Sequence, residues 1–372
     1  MLRSVTKLTV INDLPAKFSG RIFIMKKLML VGAALLLSTN NADAQGITLS
    51  SAAAAPGLST DVVAKYGAEI AAANKIATIQ VQGGQVLTKT IVQVAKGETD
   101  MSATAFILNF LMSKGLGPYS GLGKEKGKAL ASNMRLLYPY HLAAFCLVSF
   151  QSTGIDSYPK LKGKTVHNGP PRGGALVTAR NVIRLSTGGF KEGKDYKGKQ
   201  IAWGQANSIF LDRSVDAAVR PCGNPSNYIP IMAAAGKVNI VSVPKAKYES
   251  AGFQKYLKAP GMGKVEWSVK DMNVYGPNVK IISDDDIFRS AANSGGTVVN
   301  KKMDNKLAKD LTAAFIKNIN QLFQKASFMR YHYAGNVDDK LHGVCKAGLK
   351  YHPGAVAAWE AAGFKIPACA KS

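Results

Sequence analysis

From Gln45 onward the sequence repeats one unit: a short apolar run of strand length, a turn, then a stretch whose apolar residues recur at helical spacing. "GITLSSA" (46–52), "IATIQVQ" (76–82) and "TDMSATAF" (99–106) have strand character. Between them, residues 60–73 and 85–95 follow the helical period, the first capped by Ser59 or Thr60. This alternation restricts the chain to an α/β class with a largely parallel sheet, in which ligands sit at the carboxyl ends of the strands. After a Gly/Lys-rich loop at 115–128, the long extended run 134–150 carries the chain out of one lobe and into another. The pattern then restarts with "GKTVHNG" (163–169), a helix at 174–186, "KQIAWG" (199–204), a short helix near Ile209, "VDAAVRP" (215–221), a helix at 228–235 and "VNIVSVP" (238–244). Two series predict two lobes and a cleft: 45–145 with 248–372 form the first lobe, and 146–247 form the second. "NVKIIS" (278–283), "GGTVVN" (295–300) and a long helix at 304–324 complete the first lobe.

The apolar run 28–37 follows Met25-Lys26-Lys27 and precedes Ala42-Asp43-Ala44. A charged start, a short apolar core and an A-x-A site make a secretory signal over 25–44, cleaved near Ala44. Residues 1–24 stand awkwardly in front of it, so Met25 is the expected true start. No apolar run reaches the roughly 20 residues of a membrane helix. The formal charge is +25; residues 1–44 hold six of the basic residues and two of the acids, so +21 remains after processing. The lysines are dispersed and no nucleic-acid signature accompanies them, which points away from nucleic acid and towards acidic small molecules or an anionic surface.

Cys146, Cys222, Cys345 and Cys369 contain no C-x-x-C pair, which disfavours a zinc ribbon or a thioredoxin-like motif. In an oxidising compartment four cysteines allow three pairings. The shared C-terminal segment favours Cys345 with Cys369, and Cys146, inside "HLAAFCLVSF", has the alternative of being a buried small hydrophobe.

Four stretches carry a family resemblance. "YPKLKGKTVHNGPPRGGALVTARNVI", "DAAVRPCGNPSNYIPIMAAAGKVNIVSVP", "GGQVLTKTIVQVAKGETDMSAT" and "YHPGAVAAWEAAGFKIP" resemble the TAXI-type solute receptors of tripartite ATP-independent periplasmic (TRAP) transporters, over about residues 46–367. The resemblance implies a two-lobed, type II periplasmic-binding-protein fold with a hinge, a small carboxylate or acidic amino acid between the lobes, and delivery to a TRAP-type membrane permease. It implies no cofactor and a periplasmic monomer. The chain departs from the family at Arg172-Gly173-Gly174-Ala175, where two hydroxyls are missing and a guanidinium is added. It departs again at "SSAAAAPGLST", which lacks an aromatic, and at Gln82-Gly83-Gly84-Gln85.

Gly173, Gly174 and Ala175 offer backbone N–H groups at a helix start to a ligand oxygen, and Arg172 offers a bidentate clamp or points to water. Ser50 and Ser51 lie at the carboxyl end of the first strand, and Gln82, Gly84 and Gln85 at that of the second, with turn or helix-cap roles as the alternative. Thr104, Arg220, Cys222 and Gly223 occupy comparable strand ends, and Trp203 is either a flat cleft wall or a core residue. His332, His342 and His352 recur every ten residues, which is not a metal-binding spacing on a helix, and His352-Pro353-Gly354 is a helix start that Gly363 ends. No G-x-S-x-G, H-E-x-x-H or paired carboxylates appear at the strand ends, so the chain is expected to be a non-enzymatic receptor. A ligand sensor for a signalling partner, or an enzyme on the same fold, are the other readings.

Overall fold

The computed structural model describes residues 46–54, 56–171 and 174–372. The predicted signal at 25–44, the residues ahead of it, Arg172 and Gly173 lie outside the described residues. The described strands are β1 (Thr48–Ala52), β2 (Thr78–Gln82), β3 (Met101–Ala105), β4 (Met134–Phe150), β5 (Thr165–His167), β6 (Lys197–Lys199), β7 (Ala217–Cys222), β8 (Val238–Val241), β9 (Met262–Ser268), β10 (Val279–Ile282), β11 (Ile287–Asn300) and β12 (Lys350–Tyr351). They join one sheet in the order β2-β1-β3-β11-β4-β7-β5-β6, with β8 and β12 also on β4, β9 on β11 and β10 on β8.

The fold is α/β, as expected, but its sheet is mixed. β1 is parallel to β2 and β3, and β5 is parallel to β6 and β7. The two groups are joined by β4 and β11, strands of 17 and 14 residues that run antiparallel to each other. Met134–His141 of β4 pair with Ser294–Asn300 of β11, which also pairs with β3. Ala144–Phe150 of β4 pair with β7 and β8, although Ala143 and Ala144 still face Asn293 and Ala292 of β11, and Ile287–Asn293 of β11 pair with β9. Beside this change of partners lies a bulge: Ser294 faces His141 and Asn293 faces Ala143, leaving Leu142 without a partner. A bulge bends and twists its strand, so the two halves of the sheet meet at an angle there.

Each half has its own apolar packing. Val63, Ile91, Phe106, Tyr138, Phe315 and Trp359 belong to the core of the first half. In the second half strand alternation sends Cys146, Val148 and Phe150 to one face and Phe145 and Leu147 to the other. Burying such a large side chain contributes about 1.5–3 kcal/mol each. Tyr248, Phe253, Val265, Trp267 and Phe288 pack in these two cores of the second half, and the chain re-enters the first half at Ser294.

Several local expectations are corrected. The helix Ser59–Ala73 is preceded by Leu58 at its cap position; the Ser59 hydroxyl donates instead to the Leu142 carbonyl, and Thr60 Oγ1 accepts from Ala54 N at 3.3 Å. The Gly/Lys-rich stretch holds a 3-10 turn at Gly117–Leu122 and a helix at Lys124–Ala131. The long C-terminal helix breaks at Asn318 into Asn305–Lys317 and Ile319–Lys325, with the Asn318 amide taking the Ala314 carbonyl at 2.8 Å in competition with the backbone. "KQIAWG" is not one strand: β6 ends at Lys199 and Trp203–Gln205 form a 3-10 turn.

Cys345 pairs with Cys369, one of the weighed possibilities. Cys146 is no simple buried hydrophobe, because it is bonded to Cys222 across β4 and β7 with the Cα atoms 5.9 Å apart. Ala144 faces Cys222 and Cys146 faces Arg220, so the two sulfurs lie on one face of the sheet.

Gly295 sits beside the bulge, where an added Cβ would lie 2.0 Å from both Leu142 Cδ1 and the Thr104 carbonyl oxygen. Gly295→Ala is therefore expected to cost about 1–3 kcal/mol by overpacking. Urea unfolding measures this, and an unchanged midpoint would contradict so close an approach.

Candidate functional site

A cavity of about 310 Å³ opens at the bulge, between the carboxyl ends of strands from both halves. From the first half come Ala54 and Leu58 after β1, Gly84–Thr88 after β2, and Ala105, Ile107 and Leu108 at the end of β3. Leu142 and Ala143 border it from the bulge, while Phe145, Pro170, Pro171, Gly174, Ala175, Trp203 and Pro221 form the second wall. No Asp, Glu, Lys, Arg or His borders it among the described residues. A larger depression of about 610 Å³ beside β6 is open surface lined by Arg180, Arg184 and Lys191, and the Arg180 guanidinium is already paired with Glu192. The enclosed cavity is the better candidate, since ligand sites are concave and mostly apolar with a few placed polar groups.

Behind the second wall, buried polar side chains gather at and after the ends of β5 and β7. Arg220 is 6% exposed and forms no ion pair among the described residues. Its Nη1 donates to Asn207 Oδ1 at 2.8 Å, and its guanidinium lies 4.0 Å from the Tyr228 ring centre and 6.0 Å from that of Trp203. Stacking on ring faces partly compensates a buried cation, but Arg220 Nε and both amide atoms of Asn224 have no hydrogen-bond partner among the described residues, while the buried Ser226 and Tyr228 side chains lie close to each other. Burial shifts Arg220 towards its neutral form, although a guanidinium remains protonated. Burial, opposed by its bond to the Lys199 carbonyl, holds His167 down at about 4, so the imidazole is neutral. Its Nδ1 then donates to that carbonyl at 3.1 Å, leaving the unpartnered Nε2 as an acceptor.

The sequence-derived candidates divide sharply. Gly84, Gln85, Gly174, Ala175 and Trp203 border the cavity, and Arg172 and Gly173 fall between the bordering Pro171 and Gly174. Gly84 N and Gln85 N are fixed to the Ala54 and Ala53 carbonyls at 2.7 and 2.8 Å. Ser50 is turned elsewhere: its N and Oγ both donate to Asp100 Oδ2 at 2.8 Å. Ser51 and Thr104 are buried, Thr104 Oγ1 bonds the Ala105 carbonyl at 3.2 Å, and Gln82 and Gly83 stand outside the lining. Cys222 and Gly223 border a smaller crevice where Asn227 Nδ2 donates to the Gly57 carbonyl at 2.8 Å, tying a loop of one half to a loop of the other. Sequence reasoning missed Val86, Ile107, Leu142 and Phe145, ordinary apolar residues until the fold assembles them, and Asn224, Ser226 and Tyr228, whose one signal is the turn that follows Arg220.

A family profile described as NMT1-like matches residues 60–363. The chain belongs to the NMT1-like family. Among solved structures, the periplasmic aliphatic sulphonate binding protein SsuA from Escherichia coli is 12% identical over 77% of this chain and 84% of its own, with a TM-score of 0.41. DctP7, a Bordetella pertussis extracytoplasmic solute receptor binding pyroglutamic acid, is 11% identical over 85% and 92%, with a TM-score of 0.42. A TRAP periplasmic solute-binding protein from Ralstonia eutropha H16, with bound (S)-2-acetolactate, is 13% identical over 86% and 86%, with a TM-score of 0.41. No helix among the described residues of this NMT1-like chain is long and apolar enough to cross a membrane.

The histidines of this family member have structural places. His352 accepts from Gly354 N at 3.2 Å and so starts the helix Pro353–Ala361, with Gly363 in the left-handed region just past its end. His332 Nδ1 lies 2.7 Å from the His141 carbonyl, and the His141 and His342 rings are 5.4 Å apart. Burial pushes His141 and His332 down to about 4 and His342 well below the ordinary 6.5. Unfolded, these rings take up protons near 6.5; folded, His141 and His332 do so only near 4, so stability is full above 6.5 and drains away as the pH falls towards 4. Thermal unfolding across that window is expected to show a steadily falling midpoint, and a flat profile would contradict neutral, buried rings.

Proposed function

We propose that this chain is an extracytoplasmic solute-binding receptor of the TAXI type, which captures a small organic anion between the halves of its sheet and hands it to a TRAP-type membrane permease. The position of the cavity carries this reading: its walls come from the carboxyl ends of strands in both halves, and the bulge residue Leu142 borders it. In this reading the two halves act as lobes, with Leu142 on β4 and Asn293–Ser294 on β11 as the hinge, and closure traps the solute. The anion is held from the second lobe, where the first turn of the helix Gly174–Thr187 presents its amides, Arg172 adds a guanidinium and Arg220 waits behind Trp203. The receptor works as a periplasmic monomer without a cofactor. A membrane permease gene adjacent to this one supports transport, whereas an adjacent sensor kinase supports signalling.

A thermal-shift panel of carboxylates, amino acids and neutral controls tests the reading. A bound carboxylate at a hundredfold excess over its dissociation constant is expected to add about 2.7 kcal/mol to folding stability, and neutral controls to add none. Silence across the panel from folded protein would remove the receptor reading. Arg172→Ala is expected to weaken binding of the best ligand by about 1.5–3 kcal/mol, the range for a hydrogen bond to a charged group. Unchanged affinity would take Arg172 out of the site.

A further inference from the structure

Basic residues outnumber acidic ones in this chain by 48 to 23, so more than half of them have no acid to pair with inside the protein. Where the fold gathers them decides what that excess can do. One gathering lies at the opposite end of the first half's strands from the cavity, which opens at the carboxyl ends of β1, β2 and β3. At the amino end of β3, Met101 faces Val299 of β11, Val299 faces Arg135 at the start of β4, and Arg135 faces Lys350 of β12. The backbone around this edge brings further cations together. Lys301 N donates to the Asn133 carbonyl at 2.7 Å, and the side-chain amides of Asn133 and Asn300 donate to the Ala95 carbonyl at 2.9 and 3.1 Å. These bonds fix Lys301 and Lys302 beside Lys96, the last residue of the helix Leu87–Lys96. Ser132 N donates to the Lys128 carbonyl at 3.0 Å, so the helix Lys124–Ala131 ends at the same place.

Lys96, Lys128, Lys301 and Lys302 are all exposed. The neighbouring carboxylates are already engaged: Glu98 pairs with Lys96 at 3.2 Å, Asp100 Oδ2 accepts from Ser50 Oγ at 2.8 Å, and Asp304 Oδ1 accepts from Leu307 N at 2.9 Å. Lys128, Lys301 and Lys302 form no ion pair among the described residues. A small anion needs a concave site, and none of the three hollows described above is lined by these lysines. A protein partner is met through an apolar centre, and none of the large apolar side chains that the protein leaves exposed belongs to these segments. A plane of anionic headgroups asks only for several cations on long stems within a Debye length of it. We propose that this end of the first half is a docking surface for a membrane rich in anionic phospholipid, held reversibly by Lys96, Lys128, Lys301 and Lys302 with the cavity left uncovered. The surface is separate from the solute site, and its test uses no solute.

Sedimentation with lipid vesicles tests the surface, using the chain from Gln45 onward, whose residues from Gly46 form one compact unit. The protein is expected to sediment with vesicles of equal parts phosphatidylglycerol and phosphatidylcholine, less so as salt is raised, and not with pure phosphatidylcholine. Combining Lys128→Glu, Lys301→Glu and Lys302→Glu is expected to weaken binding roughly a hundredfold, at about fivefold for each lysine. Combining Lys255→Glu, Lys258→Glu and Lys264→Glu changes the net charge equally at exposed positions of the second half, and is expected to weaken it by several-fold at most. Lys302→Gln alone, which leaves the backbone bonds of the turn in place, is expected to weaken it several-fold and carries the test should the first triple variant melt early. Equal losses in the two triple variants overturn the surface, because net charge alone then accounts for binding. Equal sedimentation with neutral and anionic vesicles overturns the role of charge. Sedimentation with neither overturns the lipid, and retention on polyglutamate that only the first triple variant loses would then assign the same lysines to an acidic protein.

Discussion

Two long antiparallel strands set the shape of this sheet, because a continuous ladder of hydrogen bonds resists bending along its length. β4 and β11 meet this resistance by exchanging partners part-way along, with Leu142 left unpaired between the two registers. The extra residue spares the ladder from stretching, since a bulge absorbs twist locally. That residue also reaches the candidate site. Leu142 borders the cavity, its carbonyl accepts the Ser59 hydroxyl at the start of the first long helix, and its side chain fills the space that Gly295 leaves by having no Cβ.

The second half carries a different constraint. Arg220 is set on β7 opposite Cys146, and the Cys146–Cys222 bond joins that strand to β4 one residue before the turn that carries Asn224 and Ser226. A covalent tie beside a buried cation limits how far the strand can move to find solvent. The guanidinium is therefore met where it stands, by Asn207 and by the Tyr228 ring.

Much of this architecture is legible in the amino-acid order, and what is not has identifiable causes. The short strands β1, β2, β3, β7 and β8 and the helices between them carry local signals in apolar period and turn residues. Strand direction is not local: Met134–Phe150 has the look of any long extended run, and only its pairing with Ile287–Asn300 makes the sheet mixed. The site was half visible for the same reason. Gly84, Gln85, Gly174, Ala175 and Trp203 follow strand ends and border the cavity, whereas Ser50, also near a strand end, is drawn to Asp100 by a contact fifty residues away. The apolar wall had no signal of its own, since Ile107 and Leu108 differ from core residues only in what stands opposite them.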